Sequence, residues 1–156
     1  MSRLFAALMI ILPPAVALAA STEDNTPSTY GGAGVSPAYA EAANLVEQGR
    51  YADAIPKLRT VGAAEPQNAD AFNLLGFALR KTEDYEGSSE AYKTALTINP
   101  RHLDALEYQG ELYLALGDIE KAEANLAQIS SQCLFVCKQE RQLEPAIKSW
   151  REANGS

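Results

Sequence analysis

Between residues 36 and 153 the apolar positions of this chain recur at the three- and four-residue spacing of helices that bury one face. Phe72, Leu75, Gly76 and Leu79 make one such stripe; Tyr92, Ala95 and Leu96 make the next, with Glu83-Asp84-Tyr85 as the turn between them. Asp84 is placed to cap the second helix, and Pro100 ends it, because the residue before a proline is driven out of the helical region. Gly76 in a helix interior costs about 1 kcal/mol against alanine. A helix keeps such a residue where another helix must come close.

The same frame recurs on either side. Pro66 closes one unit with Glu-Pro and Pro100 closes the next with Asn-Pro, a spacing of 100 − 66 = 34 residues. The later copy carries Leu106, Gly110, Tyr113, Gly117-Asp118, Ala122, Leu126 and Ile129. Gly117 is placed to stop its first helix in the left-handed region and Asp118 to cap the second. The earlier copy carries Ala42, Leu45, Gly49-Arg50-Tyr51, Ala54, Leu58 and Val61. If Asp53 caps its second helix, Pro56 falls in the first turn, where its missing N–H costs little. A fixed period of this length predicts stacked helical hairpins, none of which buries its apolar face alone. Beyond them, Leu143, Ile147 and Trp150 form the stripe of a closing helix that Pro145 either begins or kinks, with Trp150 packing on the last repeat.

These aromatic-Leu-Gly, Asp-Tyr, Ala and Asn-Pro positions resemble the tetratricopeptide repeat, most clearly over Ala69–His102, well over Leu103–Leu134 and less well over Val35–Asn68. The resemblance implies an all-α, right-handed superhelix of about three antiparallel helix-turn-helix repeats, with the first helix of each pair lining a groove and a capping helix at the C-terminus. It implies groove positions at Ser36, Tyr39, Ala43, Val46 and Glu47, at Asp70, Asn73, Phe77, Arg80 and Lys81, and at Asp104, Glu107, Glu111, Leu114 and Ala115. Of these, Tyr39, Asn73, Phe77, Arg80, Asp104, Glu107 and Glu111 are the expected partner-binding residues. The mix of a basic pair, an acidic row and aromatic anchors suits an extended or helical protein segment that carries positive charge. Some members of the family grip a C-terminal carboxylate with Lys, Asn and Arg. Asp104 and Tyr108 stand at corresponding places here, so that mode is not expected.

The N-terminus alters the organisation. Arg3, the unbroken apolar run Leu4 to Leu12 and the small-x-small pattern Ala17-Leu18-Ala19 read as an export signal over residues 1–19. That run is too short to span a bilayer, which needs about 20 residues. Residues 20–35, rich in Ser, Thr, Pro and Gly, form an expected flexible leader. The repeats then occupy 36–134, and a disulfide-linked turn with the capping helix 135–156. Without Arg3 the chain carries 13 − 1 = 12 basic against 20 acidic residues, or −8, a sign that repels nucleic acid and anionic lipid. The expectation is an exported, periplasmic protein with a protein partner, no nucleic acid and no stable membrane span, self-association being a further option.

Cys133 and Cys137 are the only cysteines. In an exported chain such a pair reads first as a structural disulfide. Regular helical geometry holds residues four apart too far for a bridge, so a bond here predicts a turn at the end of the last repeat. The alternative is a thiol-disulfide-active accessory factor using the same pair. No metal site is expected, since zinc takes four ligands and His102 is the only histidine. No cofactor is expected either. His102 reads as an exposed residue near a helix start, and no phosphate loop, nucleophile elbow or paired metal-binding histidines suggest an enzyme.

Overall fold

The computed structural model describes residues 35–155, so the export signal and most of the leader lie outside the described residues. Within them the chain forms seven helices and no strand: α1 Pro37–Glu47, α2 Tyr51–Ala64, α3 Ala69–Lys81, α4 Tyr85–Ile98, α5 Leu103–Ala115, α6 Ile119–Gln132 and α7 Lys138–Asn154. The pairs α1/α2, α3/α4 and α5/α6 are antiparallel hairpins. Each packs on the next, winding an all-α superhelix in which α1, α3 and α5 touch in succession as the inner layer and α7 closes the end against α5 and α6.

Local chemistry sets the starts and stops. Side chains of Ser36, Asn68, Asp84, His102 and Asp118 accept a hydrogen bond from the backbone N–H three residues on, which satisfies one of the orphan donors of the first turn. The inner helices end alike. Gly49, Glu83 and Gly117, spaced 34 apart, all take positive φ (72°, 64° and 80°). In each case the next N–H bonds five residues back, Arg50 to Leu45, Asp84 to Leu79 and Asp118 to Tyr113. Glu83 occupies this left-handed position despite its Cβ, at a cost of roughly 1–2 kcal/mol that glycine avoids.

Close approach explains the inner glycines. A Cβ on Gly76 would stand 2.7 Å from the Tyr92 ring, and one on Gly110 would stand 2.6 Å from Leu143. Tyr92 and Leu143 are fully buried, so each glycine is the slot that a large core side chain of a neighbouring helix fills. Ser88 closes the same contact by donating to the Gly76 carbonyl at 2.8 Å, and Asn125 ties α6 to the Leu106 carbonyl at 2.9 Å.

Two expectations need correction. Asp53 does not cap α2: the helix starts at Tyr51, and Asp53 pairs instead with Arg50 at 2.8 Å. Pro56 therefore lies beyond the first turn, on the exposed outer face, where water can reach the carbonyl of Ala52 that its missing N–H leaves free. His102 is buried, with Nδ1 accepting from Ala105 N–H and Nε2 lying 3.0 Å from Asp70 Oδ1, so it joins α5 to α3. Pro145 sits inside α7, one of the two places its sequence context leaves open.

Candidate functional site

The concave face of α1, α3 and α5 carries the chain's most unusual side chains. Tyr39, Asn73 and Glu107 occupy the same register, 34 residues apart, and the fold sinks all three to 2%, 0% and 1% exposure. The sequence places them on an open wall; the structure makes them a floor. Among the described residues, neither polar atom of the Asn73 amide nor Glu107 Oε2 has a hydrogen-bond partner. An unsatisfied buried amide or carboxyl costs about 1–3 kcal/mol.

Phe77, Arg80, Asp104 and Glu111 surround the floor. Phe77 stands between two rings, with its centroid 5.8 Å from Tyr51 and 4.9 Å from Tyr108. Arg80 and Lys81 lie over its face at 5.6 and 5.2 Å. Arg80 also forms an ion pair with Glu111 that crosses from α3 to α5, its side chain only 13% exposed. Asp104 is held by α7, whose Gln139 donates to it at 2.7 Å. Beside Phe77 opens a hollow of about 280 Å³, lined by Ala43, Val46, Glu47, Tyr51, Leu74, Phe77 and Tyr108. Sequence reasoning omitted Tyr51 because it belongs to a second helix. Its place directly after the left-handed Gly49 and the N-cap Arg50 is the signal that brings it to the rim.

Burial, reinforced by the carboxylates of Glu111 and Asp104 and opposed by Arg80 and Lys138, pushes the Glu107 carboxyl up to about 8. The folded chain thus holds this proton where the unfolded chain, near pH 4.5, releases it. Between those values the native state binds more protons, so stability falls as pH rises and the loss is complete above about 8. Glu107→Gln removes this dependence. Thermal melts from pH 5 to 9 should show the wild-type decline flattened by at least about 1 kcal/mol in the variant, since one pKa unit is worth about 1.4 kcal/mol. Parallel profiles would show that Glu107 ionises normally.

At the far end, Cys133 caps α6 and Cys137 precedes α7, with non-helical backbone between them, as the turn expected there requires. Their Cα atoms are 6.0 Å apart, within the span a bridge covers. Glu140 brings a carboxylate within 4.8 Å of both sulfurs, which as a bridged pair offer a metal no thiolate. No helix among the described residues is long and apolar enough to cross a membrane.

The sequence matches the tetratricopeptide repeat family over residues 39–98 and 78–130. No curated protein matches it. Among solved structures, the type III secretion chaperone SycD of Yersinia enterocolitica, in complex with a peptide of the translocator YopD, superposes with a TM-score of 0.63 at 19% identity, covering 74% of this chain and 88% of that one. The first repeat domain of Spaghetti (RPAP3), bound to the HSP90 peptide SRMEEVD, gives 0.63 at 17% identity over 74% and 89%. MamA from Desulfovibrio magneticus RS-1 gives 0.58 at 28% identity over 60% and 53%.

Proposed function

Because the chain belongs to the tetratricopeptide repeat family, we propose that it is a non-enzymatic adaptor that holds a segment of another protein in the groove of α1, α3 and α5. The observation that carries this reading is the aromatic hollow around Phe77 on the concave face, edged by the exposed Glu47. The hollow takes an apolar side chain of the bound segment. Glu111, Asp104 and Glu47 favour a segment with basic residues, and peptide-bound structures of the same fold support capture of a protein segment. We place the protein in the periplasm on the strength of its N-terminal export pattern. There Cys133 and Cys137 form a structural bridge that fixes the passage from α6 to α7.

Cross-linking and pull-down with the tagged protein test both points. Tyr51→Ala with Phe77→Ala should reduce capture of the partner about tenfold or more while the helical signal persists, the scale of a binding hot spot. Unchanged capture would remove the groove from the account. Partners trapped as mixed disulfides on Cys133 or Cys137 would replace the adaptor with a thiol-exchange factor.

A further inference from the structure

The segment between α6 and α7 exposes three consecutive large apolar side chains, Leu134 at 96%, Phe135 at 88% and Val136 at 59%. They support nothing in the fold. The backbone carrying them is gathered at its base by Cys133 and Cys137, so it projects as a fixed tip. Exposed apolar groups clustered in this way mark a docking feature. Toward the opposite end of the repeat stack, the hollow beside Phe77 is apolar and aromatic inside and has the exposed Glu47 at its edge. The tip leads into two exposed bases, Lys138 and Arg141, the latter donating to the Val136 carbonyl at 3.3 Å.

We propose that the tip of one copy seats in the hollow of a second copy, Phe135 and Leu134 among Tyr51, Phe77 and Tyr108, with Lys138 and Arg141 facing Glu47. This rests on reading the groove as a binding surface and names a second copy of this chain as one occupant. The two complementary features are different patches of the surface, so the contact is heterologous. Each copy that joins still offers a free tip or a free hollow, and growth continues until a ring closes or a filament forms. A lipid surface fits less well. Three side chains supply at most about the anchoring of one acyl chain, which alone is marginal, and a chain with 20 acidic residues against 13 basic ones resists anionic lipid.

Light scattering on the purified chain across a concentration series reads the outcome. The wild type should gain mass with concentration. A tip variant, Leu134→Ser with Phe135→Ser, should stay monomeric, as should a hollow variant, Glu47→Lys with Phe77→Ala. Each lacks one half of the contact, so an equimolar mixture of the two should give a heterodimer and nothing larger. Wild type that stays monomeric throughout, a tip variant that assembles normally, or a mixture that fails to pair each overturns the inference. So does tip-dependent flotation of a monomeric wild type with anionic phospholipid vesicles. Loss of assembly with partner capture intact in the tip variant leaves the adaptor reading standing. Retention of both capture and assembly by the hollow variant removes both readings.

Discussion

Replacing Leu143 with alanine is expected to cost about 2–5 kcal/mol, the range for deleting a large buried aliphatic side chain. Leu143 is fully buried and fills the slot that Gly110 leaves on α5, where its methyl groups stand in for any Cβ. The surroundings cannot collapse into the space. On the other side of the contact the α5 backbone is fixed by the repeat, and α7 is tied by Gln139 to Asp104 and by Arg151 to Glu123. Urea unfolding should show a lower midpoint. The slope should fall too if α7 detaches first and leaves the apolar end of α5 and α6 in water. A change below about 1 kcal/mol would mean that α7 decorates the array without closing it.

Arg80→Ala should cost about 3 kcal/mol, the lower end of what removing one partner of a buried ion pair costs, because Glu111 keeps 33% of its side chain in water. The cation holds Glu111 across the α3–α5 boundary, restrains the Glu107 carboxyl and covers the Phe77 ring. Its loss leaves two acidic groups facing each other over the groove floor. If that is the cause, Arg80→Met with Glu111→Leu should recover most of the stability, and a double-mutant cycle at neutral pH should return a coupling of about 1–3 kcal/mol. Additive losses would show that Arg80 acts through packing alone.

Much of this architecture is legible in the residues. The stripe Phe72–Leu79 and the caps Asp84 and Asp118 mark helices by mechanisms that act within a few positions, and the 34-residue period then stacks them. What the sequence hides depends on depth and on neighbours distant in the chain. Asn73 and Glu107 read as wall residues because their position in the helix is right. Only the packing of α1, α3 and α5 against one another decides that the position lies under the surface. His102 reads as solvent-facing because its partner Asp70 is 32 residues away. Pro56 misleads for the opposite reason: a local rule moves the start of α2, whereas an exposed outer face tolerates the missing bond.

The most direct test places a photo-cross-linker on each face in turn and maps what it captures. One probe replaces the half-buried Ala43 at the edge of the hollow, and a second replaces the exposed Lys93 on the outer helix α4. The account predicts a defined partner segment bearing an apolar residue and neighbouring bases, joined to the groove probe and absent from the outer one. Equal labelling from both faces, or capture at α4 alone, would contradict it.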